Sequence, residues 1–157
     1  MAPKAKSIPM GYHTVTPSVI VNSAARALEF YQRAFGAVEL YRLVEPGGKI
    51  GHAEIQIGDS IVMLSDEYPD FGFNSPKTLG GSPVSLLVYV EDADAVFAQA
   101  IAAGATERGP VTDQFWGDRS GAVEDPFGHV WNIAAHREDL SPAEMQTRFT
   151  ALLAEHG

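Results

Sequence analysis

The sequence predicts an α+β fold made of two tandem βαβββ modules with an added C-terminal helix. Three observations predict it. Apolar runs of strand length recur along the chain, some continuous and some alternating. One amphipathic helix pattern follows the first run of each set, and these helices end at Gly36 and Gly104, 68 residues apart. The order strand, helix, three strands is then repeated after a stretch rich in Pro and Gly, so the chain is an internal duplication.

The elements follow in order. Val19-Ile20-Val21 is short and β-branched, the pattern of a buried strand. Asn22-Ser23 offers a helix N-cap, and Ala24, Ala27, Leu28, Tyr31, Ala34 and Phe35 recur on one helical face. Val38–Val44 is a strand, and Pro46-Gly47-Gly48 a turn. From Ile50 to Ile57 the chain alternates, with Ala53, Ile55 and Ile57 on one face and His52, Glu54 and Gln56 on the other. Gly58-Asp59 turns the chain into a strand over Ser60–Ser65. The second set begins with Val84–Val90, then a helix capped by Asp92 and carrying Val96, Phe97, Ala100 and Ile101. Pro110–Trp116, Gly121–Glu124 and Val130–Ala134 are its three further strands, with Asp125-Pro126-Phe127-Gly128 as a turn. Ser141-Pro142-Ala143-Glu144 is a capping box opening a helix with an apolar stripe of Met145, Phe149 and Leu152. The modules therefore span 15–66 and 84–136, with an N-terminal arm over 1–14, a linker over 67–83 and a tail over 137–157.

Composition narrows the function. With 157 residues, 45% hydrophobic and 20% charged, the chain is an ordinary globular protein. Eleven Lys and Arg against twenty Asp and Glu give a net charge of −9, which disfavours nucleic acid and anionic membrane surfaces as partners. The absence of cysteine excludes disulfides, thiolate metal sites and a cysteine nucleophile. With no leader-like or membrane-spanning stretch, a cytoplasmic protein is expected. No Gly-rich phosphate loop opens a helix, which disfavours nucleotides.

Four local runs sharpen the reading: Glu29-Phe30-Tyr31-Gln32-Arg33-Ala34-Phe35-Gly36-Ala37, Gly51-His52-Ala53-Glu54-Ile55, Phe115-Trp116-Gly117-Asp118-Arg119-Ser120-Gly121 and Asp125-Pro126-Phe127-Gly128-His129-Val130-Trp131. In their order on a duplicated βαβββ unit they resemble the vicinal oxygen chelate superfamily, the glyoxalase/bleomycin-resistance/dioxygenase group, and within it the PhnB-like, glyoxalase-like branch. The resemblance covers about residues 12–137. It implies a small-molecule cavity between the two modules. It also implies a metal held, in the metal-using members, by His, Gln or Glu on the first and last strands of each repeat. Carried over, those places are Thr16, Met63, Ser85 and Asn132, two pairs with the same 69-residue spacing. Hydroxyl, thioether and carboxamide are poor ligands for a divalent ion. The expectation is therefore no cofactor and no metal at these places.

Candidate binding residues are His52, Glu54, Met63, Ser85, Gln114, Trp116, Arg119 and Asn132. His52, Glu54 and Gln56 form either a displaced metal or acid/base site or a merely polar strand face. Gln114 and Trp116 read as one strand face with Arg119 in the following turn. They make either a platform for a flat ligand with a carboxylate or carbonyl, or a core tryptophan beside an Asp118–Arg119 surface pair. If Thr16, Met63, Ser85 and Asn132 face inward, so do Ser18, Ile20, Ile61, Ser65, Leu87, Tyr89, Val130 and Ala134. No nucleophile–base pair stands out, and catalytic residues remain unassigned. The leading expectation is a protein that binds a small organic ligand without metal, as a homodimer. The competing one is a metal-dependent lyase or isomerase of glyoxalase type, using a divalent ion at His52 and Glu54.

Overall fold

The computed structural model describes residues 1–157 as two units, Met1–Ser82 and Pro83–Gly157. The first contains β1 (Ser18–Ile20), α1 (Ala24–Phe35), β2 (Val38–Val44), β3 (Ile50–Ile57) and β4 (Ser60–Ser65). Its sheet runs β1-β4-β3-β2, with β1 parallel to β4 and the other pairs antiparallel. The second contains β5 (Ser85–Tyr89), α3 (Ala93–Ala103), β6 (Thr106–Asp113), β7 (Asp118–Glu124) and β8 (Val130–His136), followed by α4 (Pro142–Glu155). Its sheet runs β5-β8-β7-β6, again parallel only at the first pair. The fold is thus α+β with two βαβββ modules and a C-terminal helix, as the sequence predicts. The stretch between the modules holds a 3-10 turn (Pro69–Phe71) and the short helix α2 (Pro76–Leu79). Glu67 orders it, accepting from the Ser75 N–H at 2.7 Å and from the Thr78 hydroxyl.

Strand register establishes the duplication independently of helix position. Ser18 pairs with Met63 in the first sheet and Leu87 with Asn132 in the second. Ser18 and Leu87 are 69 residues apart, and so are Met63 and Asn132. One step across the sheet, Glu54 pairs with Met63 and Ala122 with Asn132.

Each sheet buries one face beneath its helix. In the first unit Val19, Ala53, Ile55, Val62 and Leu64 are buried, as are Ala24, Ala27, Leu28, Phe30 and Tyr31 of α1. Ser23 occupies the N-cap position of α1, but its hydroxyl makes no cap bond. Asp66, just beyond β4, does this work: Oδ1 accepts from Ala24 N–H at 2.7 Å while Oδ2 accepts from Ile50 N–H at 2.8 Å. One carboxylate therefore ties the helix start to the start of β3, a tertiary cap that no local motif announces. Gly36 ends α1 at φ 66, where only glycine avoids strain.

In the second unit Val123, Trp131, Ile133 and Ala135 are buried on the helix side. Asp92 caps α3 through Ala95 N–H at 3.0 Å, as expected. The helix approaches the sheet closely at Gly121, where a β-carbon would stand 3.0 Å from Phe97 Cε2 and 2.9 Å from Val111. Phe127 is buried, and Asp125 organises its turn: Oδ1 accepts from Phe127 and His129 N–H at 2.9 Å, and Oδ2 from the Trp131 indole at 3.0 Å. No helix is long and apolar enough to cross a membrane.

One expectation is corrected here. The strand placed at Pro110–Trp116 runs instead over Thr106–Asp113, and the next begins at Asp118 rather than Gly121. Gln114–Gly117 is the turn between them, closed by Gln114 N–H to Asp118 O at 2.7 Å and Gly117 N–H to Gln114 O at 3.2 Å. Gly117 closes it at φ 98. Gln114 and Trp116 do not share a strand face, and Arg119 lies in a strand rather than a turn. The cause is a polar edge strand: Thr106-Glu107-Arg108-Gly109 carries no apolar alternation to reveal it.

Candidate functional site

The face of each sheet away from its helix is where the chemistry collects. Register assigns the side chains. In the first module Tyr41, Glu54, Met63 and Ser18 form one row across β2, β3, β4 and β1. Glu54 is 2% exposed, yet it stands on this face. It keeps its charge because three donors converge on it. Tyr41 Oη donates to Oε1 at 3.0 Å, His52 Nε2 lies 3.1 Å from the same oxygen, and Tyr12 of the N-terminal arm donates to Oε2. Burial pushes this carboxyl up, but the hydrogen bonds from Tyr12, His52 and Tyr41 outweigh burial and hold it below the usual carboxylate range. Conversely, the hydrogen bond to Glu54, with burial, pushes the Tyr12 phenol up to about 12. Gln56, on the same face, instead donates to Gly58 O at 3.1 Å.

The second module repeats the theme at another place. Asp118 pairs with His136, one end of a face that continues through Ser120–Ala134 and Ala122–Asn132. It is 4% exposed. His136 Nδ1 lies 2.7 Å from Oδ1, while Tyr89 Oη and Trp116 Nε1 donate to Oδ2 at 3.0 and 3.2 Å. Burial raises this carboxyl, and the bonds from His136, Tyr89 and Trp116 prevail and lower it. His136 Nε2 also meets Asp139 at 2.8 Å, so the imidazole sits between two carboxylates and its pKa is raised, first by Asp118 and then by Asp139. The register equivalent of Glu54 in this module is Ala122, so the two modules have diverged in the chemistry of their uncovered faces.

The remaining candidate residues fall in several places. Ser85 and Asn132 meet, Asn132 Nδ2 donating to Ser85 Oγ at 3.2 Å. Met63 is half-buried in the Glu54 row, and Thr16 lies just before β1 with its hydroxyl on His13 O. Gln114 donates to Thr112 Oγ1 and Ser120 O. Trp116 is brought to Asp118, half-exposed. Arg119 is not: it forms a two-pronged pair with Asp94 of α3 at 2.7 and 2.9 Å and a further bond to Asp113. It therefore links helix to sheet, and the Asp118–Arg119 pair does not form.

Tyr12, Tyr41, Asp118, His136 and Asp139 were not among the candidates. Two had a readable signal: extending Asn132–Ala134 by one period-two step reaches His136, and its cross-strand partner is Asp118. Nothing local marks Tyr12, because a long-range bond to Glu54 places it.

The metal expected from the family's pattern can be tested against these donors. The four carried-over places offer two hydroxyls, a thioether and a carboxamide, and Ser85 and Asn132 already bond each other. No anionic or imidazole group stands among them to offset the dehydration of a dication, so this donor set does not fit the metal.

Known proteins share the architecture. The sequence profile of the Glyoxalase/Bleomycin resistance protein/Dioxygenase superfamily matches residues 12–133. An uncharacterized protein of Mycobacterium tuberculosis is 42% identical over 140 residues, 87% of this chain and 82% of that one. A gene product of Arabidopsis thaliana, of known structure, is 31% identical with a TM-score of 0.62, covering 78% of this chain and 96% of that one. TioX from Micromonospora sp. ML1 superimposes with a TM-score of 0.63 at 28% identity, over 79% of this chain and 98% of that one. The PhnB protein from Bacillus cereus shares the fold at 22% identity and a TM-score of 0.60. Duplicated βαβββ modules, their 69-residue register and this profile match converge: the chain belongs to the glyoxalase/bleomycin resistance protein/dioxygenase superfamily.

Proposed function

We propose that the protein binds a small organic molecule on the uncovered faces of its sheets and does so without a metal. The observation that carries this reading is the exchange of chemistry at Thr16, Met63, Ser85 and Asn132, where neutral groups stand in the family's ligand places. Large apolar side chains on the uncovered face support it. Leu87 is 50% and Tyr89 62% exposed, both on the edge strand β5. Buried carboxylates beside exposed aromatic rings supply a few oriented polar contacts on an apolar ground, the usual make-up of a small-molecule site. The competing reading, a lyase or isomerase with a metal at His52 and Glu54, has against it that both Glu54 oxygens already accept hydrogen bonds.

We further propose that the protein acts as a homodimer in the cytoplasm. Val38, Leu40, Leu43 and Val44 are exposed on the edge strand β2, a surface that a partner would cover. Light scattering at low micromolar concentration tests this, and a 16.9 kDa species would contradict it.

Binding is tested by calorimetric titration of small aromatic and aliphatic compounds in the presence of EDTA. The reading expects saturable binding that added zinc, nickel or manganese leaves unchanged. Binding that appears only after metal addition would establish the metal-dependent alternative.

A further inference from the structure

We propose that Tyr12 is a built-in occupant of a hydrogen-bond-donor site at Glu54, and that a phenol or similar hydroxylated ligand takes its place when the arm lifts. The inference rests on the small-molecule reading above and names the chemistry of one of its sites. Glu54 is a buried carboxylate on the sheet face away from α1, and its donors come from three separate segments: Tyr12 from the arm, Tyr41 from β2 and His52 from β3. Tyr41 and His52 are fixed by strand pairing to each other, as Tyr41 opposes Glu54 and His52 opposes Leu43. Tyr12 is not fixed in this way. Its arm belongs to no strand, and residues 1–11 are exposed throughout.

The arm's other attachments are slight. Gly11 rests near Ile61, where a β-carbon would stand 3.7 Å from Cδ1, and His13 Nε2 reaches Asp59 O at 3.1 Å on the surface. The Thr16 hydroxyl and the Tyr12 N–H bond only locally, to His13 O and Pro9 O. The Pro9–Tyr12 turn swings the phenol inward, with Gly11 at φ 85 in the third position, where a type II turn calls for glycine. The arm thus places one phenol, by one hydrogen bond, against a carboxylate that its strand neighbours leave one donor short. A charge buried to this degree demands that third donor. A ligand hydroxyl on an aromatic ring supplies the same bond. While Tyr12 is seated, the affinity for such a ligand is reduced by the fraction of molecules in which the arm is lifted.

The test uses the full chain and p-cresol, the Tyr side chain as a free molecule, with toluene as the probe lacking the hydroxyl. Calorimetry of Tyr12→Ala should show p-cresol binding at least roughly tenfold tighter than to the unaltered protein, a fold-change set by how fully the arm is seated. Toluene should gain little, and Glu54→Gln added to Tyr12→Ala should remove the gain. Tyr12→Phe, which keeps the ring and loses only the hydroxyl, should show a smaller gain and serves if Tyr12→Ala lacks a cooperative melt. Equal p-cresol affinity in the unaltered protein and both variants would overturn the proposal. So would equal gains for p-cresol and toluene. An organic molecule retained by the unaltered protein alongside either negative result would remove the role of Tyr12 and leave the binding reading intact.

Discussion

At the scale of single residues, the energetics turn on buried carboxylates, Asp118 among them. Asp118 takes hydrogen bonds from His136, Tyr89 and Trp116, so removing it deletes three hydrogen bonds at once. Asp118→Ala should cost about 1–3 kcal/mol, measured by urea denaturation. The pH dependence has a definite sign. The carboxyl of Asp118 is low in the folded state, so its contribution is present above the ordinary aspartate range, about 4, and fades as pH falls through the folded value. The pKa of His136 is raised, so its contribution is complete below the ordinary histidine value, about 6.5, and is lost as pH rises through its folded value. Stability from this pair should therefore peak between about pH 4 and 6.5. Titrating His136 by NMR in Asp118→Ala should show its pKa falling toward the ordinary range. An unchanged pKa would assign the shift to Asp139 alone.

At the scale of elements, packing against the covered sheet faces sets the fold. Trp131 is buried on β8 and anchored through its indole to Asp125, so Trp131→Ala should cost about 3–5 kcal/mol in thermal or urea melts. Gly121 is the contact point between β7 and α3, and Gly121→Ala forces Phe97 and Val111 aside. An overpacking loss of about 1–3 kcal/mol is expected there, with exchange of α3 amides accelerated. A melt equal to that of the unaltered protein would show that the helix yields freely. The elements of both modules were legible because their apolar face alternates or repeats at 3.6, as Ala53-Ile55-Ile57 and Ala24-Ala27-Leu28-Tyr31 do. The polar edge strand β6 was not, and its displacement carried Gln114, Trp116 and Arg119 with it. The cap of α1 was equally hidden, since Asp66 acts across 42 residues.

At the scale of the molecule, duplication supplied two copies of one framework on which the site chemistry has diverged. The framework is visible in sequence because helix stops and strand ends recur at nearly constant spacing. The site is only half visible. His52, Glu54 and Trp116 lie on recognisable strands or turns, whereas Tyr12 and His136 gain meaning only from partners 42 and 18 residues away. The central proposal is that the protein binds a small organic molecule without a metal. Native mass spectrometry of the untagged protein, purified without added metal or chelator, tests it most directly. The account predicts an organic adduct, lost on denaturation, with no stoichiometric divalent ion. A stoichiometric zinc, nickel, manganese or iron ion retained by the native protein would contradict it.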